Sequence, residues 1–200
     1  MKYITDITNL DLEGTYTYAD YLTWRFEQSV ELIRGKVFKM SPAPSFRHQK
    51  ISSVFHGNMF QFFRHKPCEL IHAPFDVRLL DKKKSSKANQ DIYTVVQPDI
   101  CVICDKSKLD EQGCIGAPDL IIEILSSGNS KKEIKTKYTL YEEAGVLEYL
   151  VVYPSEQTLF QFILNEQGKY ELKSAFAEDE VFQAHIFPEL SIDLAEVFVE

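Results

Sequence analysis

The residues with chemistry to do in this sequence are two carboxylates set against apolar strands and one lysine on the packing face of a helix. The segment Asp119-Leu120-Ile121-Ile122-Glu123-Ile124-Leu125 is apolar on both faces, the pattern of a central strand covered on each side. Odd positions share one face, so Glu123 lies in line with Ile121 and Leu125. An unpaired ionised carboxylate there would cost several kcal/mol, and a cation, a metal or protonation must compensate. Pro98-Asp99-Ile100-Cys101-Val102 begins with a second carboxylate beside an apolar run. Two carboxylates on adjacent strand ends would make an oxygen-rich site suited to Mg²⁺ or Mn²⁺. Each has an ordinary reading too: Glu123 as half of a structural ion pair, Asp99 as a turn residue after Pro98.

The lysine is Lys137. Ser130 to Ala144 reads as a helix, with Ser130 as a cap, Glu133 at its third position and Gly145 as its stop. With Ile134 at zero and about 100° per residue, Tyr138 and Tyr141 fall within about 40° of it. Lys137 falls about 60° away, inside the same apolar arc, while Lys132 and Lys135 lie at about 100° or more, outside it. A lysine on the packing face of a helix covering the Glu123 strand can reach Glu123, as a structural partner or as a cation that stabilises phosphate charge. Glu133, four residues earlier, is on the same side and could position it. Lys131, Lys132 and Lys135, near this site, have the best claim to a phosphate backbone. The cluster Lys82, Lys83, Lys84 and Lys87 sits in a polar loop and reads as a solvated tip or a second phosphate track.

The elements that must position these groups are legible in outline. Glu31 to Met40 reads as a hairpin with Gly35 near its turn. Ser45 to Arg64 is the longest helical stretch, with Ile51, Val54, Phe55, Met59, Phe62 and Phe63 recurring at three and four. His48 on that helix faces the site or is polar surface. Phe55, Phe60, Phe62 and Phe63 fall around much of it, which predicts core burial or a homodimer face. Strands are predicted at 75–79, 99–104, 119–125, 148–153, 158–164 and 170–175, and a last short helix from Leu194. The strand–helix–strand run 119–153 favours a parallel pair, the hairpins favour antiparallel ones, and together they predict an α/β fold with a mixed central sheet flanked by helices. No linker or repeat divides the chain, so residues 1–200 read as one domain.

Composition bounds the function. The 200 residues are 44% hydrophobic, which is globular rather than disordered. No run approaches a membrane span and the N-terminus lacks an apolar signal core, so a cytoplasmic protein with reduced cysteines is expected. The net charge is −8, which taken whole argues against nucleic acid. However, residues 174–200 hold seven acids and no Lys or Arg, leaving −1 on the rest. The acidity is a C-terminal feature, and nucleic acid is not excluded. A zinc site is the weakest reading: Cys101-Val102-Ile103-Cys104 has CxxC spacing, but within an apolar strand its two thiols point to opposite faces, and the five histidines make no metal spacing.

These residues resemble a family. Pro98-Asp99 followed by Glu123-Ile124-Leu125 resembles the PD-(D/E)XK nuclease signature, and more narrowly the Uma-type restriction endonucleases. The resemblance is carried by Glu31-Leu32-Ile33-Arg34-Gly35-Lys36-Val37, His48-Gln49-Lys50-Ile51, Gln97-Pro98-Asp99-Ile100, Pro118 to Ser126, Glu133 to Lys137, Tyr141 and Ala144 to Tyr149. It implies a restriction-endonuclease-like core and a Mg²⁺ (or Mn²⁺) site that hydrolyses phosphodiester bonds of DNA. Asp99, Glu123 and Glu31 would be metal-binding and catalytic, with Lys137 as the catalytic lysine. His48, Gln97 and Glu133 would support them, and Glu133 stands where an Asp is commoner. The superfamily expects Lys two residues after Glu123. Leu125 stands there, and in this family the lysine has moved to the following helix. The rival is a catalytically inactive nuclease-fold scaffold, for which Leu125 is the best sequence support.

Overall fold

Leu120–Ile124 forms the strand that the apolar run predicts, and it is buried along its whole length. The structure, a computed structural model, describes residues 3–40, 43–81, 88–126 and 131–199. The lysine cluster at 82–87 and the Ser130 cap lie outside them.

Along the chain the elements are α1 (Tyr18–Tyr21), β1 (Val30–Ile33), β2 (Lys36–Lys39), α2 (Phe46–Phe63), β3 (Glu69–His72), β4 (Val77–Arg78), β5 (Val95–Val96), β6 (Ile100–Ile103), β7 (Leu109–Asp110), β8 (Gly113–Ile115), β9 (Leu120–Ile124), α3 (Lys131–Ala144), β10 (Glu148–Tyr153), β11 (Thr158–Leu164), β12 (Tyr170–Phe176), β13 (Val181–Gln183), β14 (Ser191–Asp193) and α4 (Leu194–Phe198). The central sheet runs β12-β11-β10-β9-β6-β3. Its β9–β10 pair is parallel, bridged by α3, and its other pairs are antiparallel. This is the mixed α/β architecture that the element order predicts.

The alternation along β9 sorts its side chains into two cores. Leu120, Ile122 and Ile124 join Ile51, Phe55, Met59 and Phe63 of α2 and a C-terminal layer that includes Phe182, Ile192 and Val197. Ile121 joins Leu140 and Tyr141 of α3 and Tyr149 of β10 on the opposite face. Each such apolar side chain contributes about 1.5–3 kcal/mol on burial, and Phe55→Ala would cost about 3–5 kcal/mol. Helix α2 starts where Ser45 accepts a hydrogen bond from the His48 backbone N–H, which satisfies one of the orphan donors of the first turn.

The sequence predicts one sheet, and there is a second six-stranded one, ordered β2-β1-β5-β4-β8-β7. Several of its strands have two residues, too short to show an alternation. The predicted strand at 75–79, for example, is confined to Val77–Arg78. Its hairpin β1–β2 turns through Arg34 (φ 51°) and Gly35 (φ 80°), the left-handed pair of a tight hairpin turn. A Cβ at Gly35 would also sit 2.6 Å from the Thr15 methyl. Val30 and Leu32 face a third core with Trp24 and Ile92, so Glu31 faces the other way.

One expectation needs correcting. The four cysteines are not all reduced: Cys68 and Cys104 form a disulfide, while Cys101 and Cys114 are free and buried. The pairing Glu69↔Ile103, continued one step, sets Cys68 opposite Cys104, and no local pattern reveals such a neighbour. A disulfide is the mark of an oxidising compartment, so it speaks against the reasoning that led to reduced thiols. The aromatics of α2 do not need a second copy to bury them. Phe55 and Phe63 lie in the core, and Phe62 and Phe63 both pack on Phe187. Phe60 remains exposed.

Candidate active site

Strand register brings the two carboxylates together. In the antiparallel β6–β9 pair, Ile100 lies opposite Ile122 and Cys101 opposite Ile121, and the next step sets Asp99 against Glu123. Asp99 is held there because its Oδ2 accepts a 2.7 Å hydrogen bond from the Ile124 backbone N–H. Its Oδ1 lies 3.4 Å from His48 Nε2. His48 is thus a site residue and not polar surface: it is buried at the first turn of α2. Burial by itself lowers the affinity of this imidazole for its proton, but the Asp99 carboxylate outweighs that and raises its pKa.

Lys137 points inward, as the helical wheel predicts. Its ammonium lies 2.9 Å from Glu123 Oε1 and 3.0 Å from Glu31 Oε1, so one cation ties β9 of the central sheet to β1 of the second. Glu31 Oε1 also accepts from the Gln97 backbone N–H at 3.0 Å. The Gln97 side chain donates to Asp76 Oδ1 at 2.8 Å, which fixes the peptide that holds Glu31. Glu123 has a further partner, the Tyr141 hydroxyl, which donates to Oε1 at 2.5 Å. Sequence reasoning did not assign Tyr141 a place in the site. The signal was present: Tyr141 is four residues after Lys137, one turn along the same face. Asp76 had no comparable signal, because nothing local relates it to Gln97.

The electrostatics show an excess of negative charge. Burial, first, and the nearby Asp99 and Glu31 push the Glu123 carboxyl up to about 7, although Lys137 opposes them. Lys137 is pushed up as well: burial opposes its charge, but Glu123 and Glu31 outweigh it. The clustered carboxylates act on both groups, disfavouring charge on Glu123 and favouring it on Lys137. Burial and the adjacent Glu123 carboxylate likewise raise the Tyr141 hydroxyl, which remains a donor.

Glu31, His48, Gln97, Asp99, Glu123 and Lys137 line a cleft of about 1080 Å³, in which the β1–β2 hairpin meets the first turns of α2 and α3. Of the other predicted residues, Lys132 and Glu133 line the cleft and are exposed. Lys131 and Lys135 are exposed on the same helix. Among the described residues, no position of the acidic C-terminal segment lines the cleft.

The donor set suits a hard divalent cation. Asp99 and Glu123 stand at opposed register positions and both line the cleft, and the three carboxylates exceed the one ammonium by the charge such an ion carries. Among the described residues, no group of three or more His, Cys, Asp or Glu side chains forms a metal cage. Mg²⁺ does not require one, since it is commonly held by one or two carboxylates with water and substrate phosphate completing the shell. The thiols do not fit zinc: Cys104 is in the disulfide, and Cys101 is buried on the other side of β6.

Mixed sheets flanked by helices, with a carboxylate-and-lysine cleft at the strand ends, define an α/β fold of nuclease type. The same fold is seen in a crystal structure described as that of "a putative nuclease" from Anabaena variabilis, with TM-score 0.69 and 21% identity over 92% of this chain and 97% of that one. The chain belongs to the Uma2 family, described as "Putative restriction endonuclease", whose model matches residues 18–195. No curated protein matches the sequence. None of the helices is long and apolar enough to cross a membrane among the described residues.

Proposed function

We propose that this protein is a metal-dependent endonuclease that hydrolyses phosphodiester bonds of DNA, with Asp99 and Glu123 as the pair that holds Mg²⁺ or Mn²⁺. The observation that carries the reading is the meeting of Asp99, Glu123, Glu31 and Lys137 in one cleft of a chain from this family. A bound divalent ion would lower the pKa of a water and neutralise charge on the phosphate. The protein's own groups do the rest. An ammonium has three protons, and two of those on Lys137 are aimed at Glu123 and Glu31. The third is left to orient a water or to meet charge developing on a phosphate oxygen. Gln97 holds Glu31, His48 faces Asp99, and Tyr141 keeps Glu123 Oε1 in place. Glu31 would complete the shell of the ion only where Lys137 shares it, so its first role is to hold the lysine. Lys131, Lys132 and Lys135 extend a positive edge along α3 for the DNA backbone, and Glu133 among them tempers it.

Cleavage assays with Mg²⁺, and with EDTA, on the parent, Glu123→Ala and Lys137→Ala test the proposal. Loss of cleavage in EDTA and in both variants is the expected result, and equal cleavage by all three sinks it. The homodimer is part of this proposal only through the exposed Phe60, and light scattering tests it. A cytoplasmic location is also part of it, with the Cys68–Cys104 bond as its counter-observation, and cell fractionation decides.

One observation favours a second reading, an inactive scaffold. Lys137 already pairs with both Glu123 and Glu31, as a purely structural lock would. Calorimetry with Mn²⁺ separates the two, because a scaffold would bind none at neutral pH.

A further inference from the structure

The β1–β2 hairpin presents an unexplained aromatic beside the carboxylates. Phe38 is the direct cross-strand partner of Glu31, and residues so paired project from the same face within about 5.5 Å of each other at Cβ. The neighbours Val30, Leu32 and Val37 face the opposite way, into the core with Trp24. Phe38 is 36% exposed and lines the cleft together with Met40 and Lys39. Its ring therefore contributes little to a core. It belongs to none of the three cores, so the ring stands in the cleft wall beside the carboxylates, where a bound group can meet it.

What covers it must tolerate Lys137 and Lys132 in the same cleft and offer a flat apolar face. A nucleotide does both: its phosphate suits Lys132 and the divalent ion proposed for Asp99 and Glu123, and its base suits the ring. A duplex hides its base faces within its own stack, whereas an unpaired nucleotide presents one. We infer that Phe38 is a base-stacking residue, and that the cleft takes DNA as a single strand or as a locally unpaired nucleotide. This inference rests on the nuclease reading above and narrows its substrate.

The test compares the parent, Phe38→Ala and Phe38→Trp with a short fluorescent DNA oligonucleotide, single-stranded or annealed to its complement. Binding is read by anisotropy in Ca²⁺, an oxygen-seeking ion of the same charge, and cleavage of the same oligonucleotides is read in Mg²⁺. The parent should bind and cut the single strand in preference to the duplex. Phe38→Ala should weaken single-strand binding roughly tenfold, within the range for losing one stacked base, and Phe38→Trp should restore it. Replacing one nucleotide by an abasic unit should weaken the parent but not Phe38→Ala. Cleavage of the duplex in preference, or Phe38→Ala indistinguishable from the parent on the single strand, overturns the inference while leaving the nuclease reading intact. Failure of the parent to bind or cut either form overturns both.

Discussion

Lys137 on α3 holds its ammonium 3.0 Å from the Glu31 carboxylate on β1, across the junction of two sheets, while bonding Glu123 at 2.9 Å. The link makes stability and site geometry depend on the same side chain. Removing it strands two buried carboxylates. Lys137→Met should therefore destabilise the fold by about 3 kcal/mol at pH 8, in the range for breaking a buried ion pair. The loss should shrink at pH 5, where Glu123 can take up a proton. Chemical denaturation at the two pH values measures this.

The pH dependence has a definite sign. The Glu123 carboxyl lies at about 7 in the folded chain and at 4.5 ordinarily, so between those values the folded state holds a proton that the unfolded state has released. Its contribution to stability is fully present below pH 4.5 and is lost as pH rises through about 7. In metal-free protein, the melting temperature of the parent should fall over that window relative to Glu123→Gln, which cannot titrate. Parallel melting curves for the two would show that the carboxyl is not raised.

Metal should reverse that loss. If Asp99 and Glu123 hold Mg²⁺, adding the ion at pH 8 should raise the melting temperature of the parent, by about 2.7 kcal/mol of stabilisation at a hundredfold excess over Kd. Asp99→Asn should abolish the increment while leaving the metal-free melting temperature within a few degrees. Differential scanning fluorimetry with and without Mg²⁺ reads both.

Tyr141 is a positioning residue, acting through Glu123. Tyr141→Phe removes a hydrogen bond to a carboxylate, worth about 1.5–3 kcal/mol, and leaves the ring in its core. Under the proposed function, cleavage should fall about tenfold, with KM little changed. The acid limb of the pH–rate profile should also move upward, since Glu123 loses a donor that favours its charged form. A purely structural role would lower stability without moving that limb.

Much of the fold was legible in local pattern. The period in residues 45–64 located α2, which Ser45 caps. The doubly apolar run located β9, and the strand–helix–strand order located the parallel β9–β10 pair. The second sheet was not legible, because strands such as Val77–Arg78 and Val95–Val96 are shorter than one period of alternation. Nor was the Cys68–Cys104 bond, which needs the β3–β6 register.

The site divides along the same line. By itself, the sequence determined that Glu123 would be buried and that Lys137 would share a face with Tyr141, because strand and helix periods are local properties of a few consecutive residues. Only the tertiary structure decided which groups meet: Asp99 opposite Glu123 through antiparallel register, Glu31 brought to Lys137 from another sheet, Gln97 fixed by Asp76, and Phe38 set beside Glu31 in the cleft. Those meetings depend on pairings between distant parts of the chain, and a sequence period carries no information about which strand lies next to which.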